Sequence, residues 1–235
     1  MNIVFMILCA LFTAVSSLCK PLQANVAPIE QGFDSTIVSI DKNSPSRNAV
    51  IRDLLALQKS LIISIQEPIP EDRAKTGFLL VPMTMEYISD LLEHKHGCIV
   101  CAYKDQILVG YALLTDPSNF KELYQDEHIG RFETSIDEAF LNVWLGEKGV
   151  GYIEQIAVKP GYSRMGIGSR LMSESKKLKA EGLIADVFIY PVKNESSLSF
   201  FSHQGFMPSG ILYQYPTANA NFRHEHRTQV FFWNP

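Results

Sequence analysis

Apolar residues in this 235-residue chain recur with two periods, one typical of helices and one typical of strands. Residues 50–65 and 83–92 carry apolar side chains three or four positions apart, so both segments are predicted to be amphipathic helices. Shorter apolar runs bounded by turn residues predict strands at 98–103 and 107–114, joined as a β-hairpin. The same reasoning predicts strands at 77–81, 152–158, 185–190, 210–215 and 228–233 and a helix at 171–183.

The first 48 residues differ from the rest of the chain. Residues 2–15 are apolar and lead to small polar residues and Lys20, which is the outline of a secretory signal peptide, although the segment has no Lys or Arg before it. The run is shorter than the roughly 20 residues that a membrane-spanning helix needs. Residues 21–48 are polar, contain Pro28 and Pro45, and have one strand-like run at 36–40. We therefore expect a leader and arm over residues 1–48 and one globular domain over residues 49–235.

Residues 152–171 combine a strand, a turn at Pro160, a loop with Gly166 and Gly168, and the start of a helix. Glycine lets the backbone approach a bound group closely, and the N–H groups at a helix start attract phosphate. Two nucleotide-binding patterns fit poorly. Leu171 occupies the third glycine position of a dinucleotide fingerprint, and no lysine follows either glycine as a P-loop requires.

The loop from Ser163 to Gly168 resembles motif A of the GCN5-related N-acetyltransferase (GNAT) family, Q/R-x-x-G-x-G/A. Ser163 departs from the motif, and an arginine follows it at Arg164. Residues 191–206 resemble the family's motif B, N-x-x-A-x-x-F-Y-x-x-x-G-F, at Asn194, Ser197, Phe200, Phe201, Gly205 and Phe206. The resemblance spans roughly residues 50–235. It implies a mixed α/β fold, with a mostly antiparallel sheet that splays at the motif A strand and is flanked by helices.

The resemblance also implies that the chain uses acetyl-CoA as a co-substrate and needs no metal. Backbone amides of the loop would hold the pyrophosphate, and the motif A strand would pair with the pantetheine arm. The residues implied to bind the cofactor are Ile156, Ala157, Val158, Ser163, Arg164, Met165, Gly166, Ile167, Gly168, Ser169, Asn194 and Phe201.

Catalysis requires a base, because an amine with a pKa near 10.4 is protonated at neutral pH. Glu154 on the motif A strand is the predicted base, with Tyr152 on the same face; the alternative is a purely structural carboxylate. Many family members have a tyrosine as general acid where this chain has Phe201. Either the thiolate leaves unaided, or Tyr190 or Tyr213 substitutes, or the protein catalyses poorly.

Residues 116–149 form a long connection between two predicted strands and include a predicted helix at 135–145. In the family this segment covers the acceptor side. Its aromatic residues are therefore candidates for an acceptor pocket, and the alternative is that they cover the sheet. They are Phe120, Tyr124, Phe132 and Trp144.

Two further patterns exclude classes of function. Cys98 and Cys101 lie near His94 and His96, but a spacing of three places the two thiols on opposite faces of a strand, which disfavours a metal or redox site. The net charge is −4 and the basic residues are scattered, so we expect no nucleic-acid partner.

These observations predict an N-acetyltransferase that moves an acetyl group from acetyl-CoA directly to a primary amine, without an acyl-enzyme. The alternative is a non-catalytic acyl-CoA-binding regulatory module, which Phe201 and Ser163 favour. The sequence does not determine the oligomeric state; many relatives pair through terminal strands, so a homodimer is one open alternative. Because acetyl-CoA belongs to the cytoplasm, we expect a cytoplasmic protein; the apolar leader leaves export or membrane attachment as the alternative.

Overall fold

A mixed sheet forms the centre of the computed structural model, which describes residues 35–63, 77–118, 120–121, 130–133, 145–146, 149–215 and 225–235. The strands are β1 (Thr36–Ile40), β2 (Cys98–Lys104), β3 (Ile107–Thr115), β4 (Gly130–Phe132), β5 (Val150–Val158), β6 (Gly182–Tyr190), β7 (Met207–Gln214) and β8 (His226–Trp233). Their order across the sheet is β1-β2-β3-β5-β6-β8-β7-β4. Each neighbouring pair is antiparallel except β5 and β6, which are parallel. The predicted fold class is therefore confirmed.

Helices cover both faces of this sheet. They are α1 (Arg47–Lys59), α2 (Met85–His94), α3 (Ile167–Leu178) and α4 (Glu195–His203). The apolar sides of α1 and α2 pack with one face of β2 and β3, where Leu54 and Ile88 are fully buried. The apolar sides of α3 and α4 pack on the other face, where Leu171 is fully buried. Each such side chain contributes about 1.5–3 kcal/mol by leaving water.

The predicted β-hairpin is confirmed as β2 and β3. Its loop has positive φ at both Asp105 (49°) and Gln106 (65°), as the tight turns that match strand twist require. Cys98 packs against the core layer that contains α3, and Cys101 lies in the layer that contains α1. The two thiols therefore lie on opposite faces, as the strand spacing predicts.

The predicted strand at 77–81 is wrong in one respect, because the structure has only a single bridge there, between Leu79 and Ile62. The backbone of this segment bonds to the end of α1 instead: Leu79 N donates to Leu61 O at 3.1 Å. The Phe78 carbonyl accepts from Asn194 Nδ2 at 3.1 Å. These partners hold the segment beside the sheet rather than in it.

The strand-like run of the arm forms β1, an edge strand paired with β2. Arg170 of α3 fixes its start by donating to Ser35 Oγ at 2.5 Å and Ser35 O at 2.6 Å. The apolar leader and most of the predicted helix at 135–145 lie outside the described residues. None of the helices in the described ranges has the length and apolar character needed to cross a membrane.

Candidate active site

The sheet opens between β5 and β6 because these strands pair over only part of their length. Their ladder runs from Val150 opposite Gly182 to Ile153 opposite Ala185. On its other edge, β5 stays paired with β3 as far as Val158. Beyond Ile153, the edge of β5 that faces β6 therefore has backbone N–H and C=O groups that no described strand satisfies.

Two clefts meet at this opening. The first, called the α3 cleft, has a volume of about 340 Å³ and is lined by the end of β5 and the start of α3. The second, called the β6 cleft, has a volume of about 420 Å³ and is lined by β5 and β6. The residues that line both clefts are Phe78, Leu79, Ile156 and Ser197. A group bound in one cleft can therefore reach a group bound in the other.

Most of the predicted cofactor-binding residues line the α3 cleft: Ile156, Ala157, Val158, Ser163, Arg164, Gly166, Gly168 and Ser169. The side chain of Ile167 instead lies in the core, and that of Met165 is exposed. Asn194 and Phe201 line the β6 cleft.

The loop before α3 is shaped by left-handed backbone at Gly161 (φ 87°), Arg164 (φ 63°) and Gly166 (φ 78°). This conformation costs a non-glycine residue such as Arg164 roughly 1–2 kcal/mol, a strain typical of functional loops. Gly166 is the N-cap of α3 and supplies no side-chain cap. The first N–H groups of α3, together with the positive end of its dipole, therefore suit an anion in the α3 cleft.

Gly168 has a packing role beside its place in the cleft. A Cβ at this position would lie 3.1 Å from Phe200 Cε2. That distance is shorter than an ordinary carbon contact of about 3.5–4.0 Å. Glycine therefore permits the close approach of α3 to α4.

Glu154 is the extra residue of a β-bulge, since Leu113 and Leu114 of β3 lie opposite Gln155 and Ile153. Its carboxylate accepts from Thr115 Oγ1 at 3.0 Å and from the Tyr87 hydroxyl at 3.4 Å. The carboxylate lines the β6 cleft. The bulge thus directs an acidic side chain to the opening of the sheet, next to the backbone edge of β5.

Tyr152 also lines the β6 cleft, and its hydroxyl donates to Asp186 Oδ1 at 2.5 Å. Burial and then the charge of Asp186 raise the pKa of Tyr152 well above its ordinary value. Burial also raises the pKa of Asp186, which the hydrogen bond from Tyr152 partly offsets. Sequence reasoning missed Asp186; its only signal was a single acidic residue within the apolar β6 run.

The two motif B residues Asn194 and Phe201 have clear structural contacts. Asn194 is the N-cap of α4, and its side chain accepts from Ser197 N at 3.2 Å and donates to Phe78 O. Phe201 is 3% exposed and stacks on Phe231 with a centroid distance of 5.8 Å. Its ring packs in the core and has no hydroxyl to offer.

A buried polar network, which sequence reasoning missed, lies behind Glu154. Gln155 Oε1 accepts from Gln58 Nε2 at 2.9 Å and from the Tyr111 hydroxyl, while its Nε2 donates to Val81 O at 3.3 Å. Gln58 Oε1 in turn accepts from Met83 N at 3.0 Å. The network ties α1 and the 81–83 wall of the β6 cleft to β5.

The proposed substitute acids lie elsewhere: Tyr190 and Tyr213 are not among the described residues that line either cleft. The Tyr213 hydroxyl donates to Glu225 Oε2 at 2.7 Å. Phe120 is fully buried, with its ring centroid 5.5 Å from that of Tyr152. It therefore packs beneath the β6 cleft.

Phe132, in β4, packs against the same buried cluster as Phe120. Tyr124 and Trp144 lie outside the described residues. Within the described ranges, no three His, Cys, Asp or Glu side chains converge as metal ligands.

The sequence model of the Acetyltransferase (GNAT) family matches residues 67–206, more than half of the chain. No curated protein sequence matches.

Solved structures with the same fold include the ribosomal-protein-S18-alanine N-acetyltransferase of Escherichia coli, with 12% identity, a TM-score of 0.51, and coverage of 86% of this chain and 94% of that chain. Arabidopsis thaliana NAA60 in complex with acetyl-CoA has 13% identity and a TM-score of 0.51, covering 86% and 98%. A probable acetyltransferase from Staphylococcus epidermidis has 15% identity and a TM-score of 0.50, covering 86% and 99%.

Proposed function

Because the chain belongs to the GNAT acetyltransferase family, we propose that it is an N-acetyltransferase that transfers an acetyl group from acetyl-CoA to a primary amine. The observation that carries the proposal is the junction of two clefts at the opening of the sheet. The α3 cleft offers backbone donors for an anion, and the β6 cleft offers the Glu154 carboxylate beside it.

Acetyl-CoA would bind in the α3 cleft. The N–H groups at the start of α3 would hold its pyrophosphate, and the open edge of β5 from Ile156 to Val158 would pair with the pantetheine arm. These contacts use backbone groups, so they do not require glutamine or arginine at the position of Ser163. Arg164, at the same cleft, adds a positive charge.

The acceptor amine would enter from the β6 cleft and reach the thioester at the junction. Glu154 would take its proton, directly or through water, so that the neutral amine can attack the acetyl carbonyl. The hydroxyls of Thr115 and Tyr87 fix the carboxylate in place. Tyr152, with its raised pKa and its bond to Asp186, would remain protonated and shape the cleft rather than exchange a proton.

The charge of the β6 cleft narrows the acceptor class. Glu154 and Asp186 line it on β5 and β6, and the described lining contains no Lys, Arg or His. A cationic amine gains favourable interactions with the two acidic groups, whereas an amine with a neighbouring carboxylate is repelled. We therefore propose acceptors that lack an acidic group next to the amine.

The test is a calorimetric titration with acetyl-CoA, followed by a thiol-release assay over a panel of amines at several pH values. We expect binding, and amine-dependent release that falls about 10²–10⁴-fold in Glu154→Gln. Glu174→Gln is the matched control, because Glu174 forms a surface ion pair with Lys177 and is not among the described residues that line either cleft.

The alternative is a non-catalytic acyl-CoA-binding module, which the missing hydroxyl at Phe201 favours. Acetyl-CoA binding without release on any amine would support this module. Absence of binding would contradict both proposals.

We also propose that the protein acts in the cytoplasm, where acetyl-CoA is found. Fractionation of cells that express the full chain, followed by sequencing of its N-terminus, tests this location and any removal of residues 1–20. Recovery outside the cell would contradict it.

A further inference from the structure

We propose that the Ser197 hydroxyl stabilises the coenzyme A thiolate as it leaves. Ser197 would thus supply the hydrogen-bond donor that Phe201, which has no hydroxyl, cannot supply. The inference rests on the proposed function, since it concerns the same reaction. Ser197 is at the first turn of α4, three residues after the N-cap Asn194.

Position singles out Ser197. The thioester must lie where the two clefts meet, because the acetyl group arrives through the α3 cleft and the amine through the β6 cleft. Of the four described residues that line both clefts, Phe78, Leu79 and Ile156 have apolar side chains, and only Ser197 has a side-chain donor.

Within the described ranges, the Ser197 hydroxyl makes no hydrogen bond to the protein, so it is available for a ligand. Its backbone N–H, not its side chain, bonds to Asn194 Oδ1 at 3.2 Å. The residue is half-buried, so a hydrogen bond made here acts in a less polar environment than water. The start of α4 adds the positive end of a helix dipole, which also favours a nearby anion.

Departure of the thiolate requires a hydrogen-bond donor and does not require a general acid. When the tetrahedral intermediate collapses, the C–S bond breaks and its electron pair moves to sulfur, while the amine proton has gone to Glu154 or to water. A thiolate with a pKa of about 8.5 can leave as an anion. Ser197 keeps its proton and donates a hydrogen bond to the sulfur, and water protonates the thiolate after release.

The test uses coenzyme A itself, so it does not depend on knowing the acceptor amine. The pKa of the bound thiol is measured from the ultraviolet absorbance of the thiolate during a pH titration of the full chain saturated with coenzyme A. Ser197→Ala should raise this pKa by about 1, the size expected for the loss of one hydrogen bond to an anion.

Two variants make the measurement specific. Ser202→Ala is the matched control, because Ser202 is an exposed serine of the same helix that bonds to Leu198 O and lines neither cleft. It should leave the thiol pKa unchanged. Ser197→Thr keeps a hydroxyl and should restore most of the wild-type value, which a merely structural role for Ser197 would not predict.

Kinetics supply a second readout. With an amine that the wild type acetylates, Ser197→Ala should lower kcat about 10-fold and leave the acetyl-CoA affinity within about 2-fold. An unchanged thiol pKa in Ser197→Ala, with coenzyme A still bound, would overturn this inference and leave the proposed function standing. If wild-type protein binds no coenzyme A, both fail.

Discussion

The buried network of Gln155, Gln58 and Tyr111 gives a quantitative test of how the wall of the β6 cleft is held. The exposed fractions of the three residues are 7%, 2% and 0%. Replacing Gln155 with leucine removes the acceptor for both the Gln58 amide and the Tyr111 hydroxyl. A buried donor without a partner costs about 1–3 kcal/mol, so the loss of partners for two donors should lower the free energy of unfolding by about 2–6 kcal/mol.

Tyr111→Phe is the matched single change. It removes one hydrogen bond and leaves Gln155 bonded to Gln58, so it should cost about 1 kcal/mol. In the double variant Tyr111→Phe/Gln155→Leu, residue 111 has no hydroxyl, so Gln155→Leu leaves only the Gln58 amide of this pair of donors without its acceptor. The double variant should therefore be about 1–2 kcal/mol more stable than the sum of the single effects predicts.

The assay is urea denaturation of the four proteins, followed by circular dichroism and compared at equal m-values. Additive effects, or a cost for Gln155→Leu no larger than that for Tyr111→Phe, would refute the assignment of these bonds. The acetyl-CoA affinity of the same variants is measured as well. It should stay near that of the wild type, because the network borders the 81–83 wall of the β6 cleft and not the α3 cleft.

Three further changes test the site. Burial raises the pKa of Asp186, so the folded chain holds this proton to higher pH than the unfolded chain does. The stability of the wild type should therefore fall relative to that of Asp186→Asn as the pH rises from about 3.9 through the raised pKa. Parallel stability curves from urea titrations over this pH range would contradict the burial argument. Gly166→Ala should lower the free energy of unfolding by about 1–2 kcal/mol, because φ is 78°, and a neutral result in the same assay would contradict the left-handed N-cap. Gly168→Ala should weaken acetyl-CoA binding severalfold, because the added Cβ displaces the Phe200 ring that lines the α3 cleft. Wild-type affinity in a calorimetric titration would contradict this prediction, since it would mean that the ring moves aside without narrowing the cleft.

The elements with a strong local pattern could be predicted from the sequence. The hairpin of β2 and β3, the strand β5, the glycine loop and α3 each depend on residues that are neighbours along the chain. For the same reason, five of the predicted loop residues lie at one cleft: Ser163, Arg164, Gly166, Gly168 and Ser169. The prediction of a strand at 77–81 was wrong because the partners of this segment, Asn194 and the end of α1, are distant in sequence.

Contacts between distant residues could not be predicted from periodicity. Gln58 and Gln155 are 97 positions apart, and Tyr152 and Asp186 are 34 positions apart. Strand alternation also could not indicate the bulge at Glu154, because a bulge interrupts the alternation on which the prediction depends. The direction of this carboxylate depends on its pairing with β3, which only the folded sheet determines.

The two clefts are lined mainly by different parts of the chain. This difference explains why the sequence indicates the proposed acetyl-CoA site more clearly than the proposed acceptor site. The end of β5 and the glycine loop at the start of α3 supply about half of the residues that line the α3 cleft, so a glycine loop next to a strand is enough to indicate it. Side chains from β5, β6, α2 and the 78–84 segment line the β6 cleft. Under the proposed function, substitutions in the β6 cleft should therefore change the preferred acceptor while the acetyl-CoA contacts stay the same. Glu154 lies between the two clefts, because its bulge is where the β5 edge becomes open and its side chain lines the β6 cleft, which is where the proposed function needs a base.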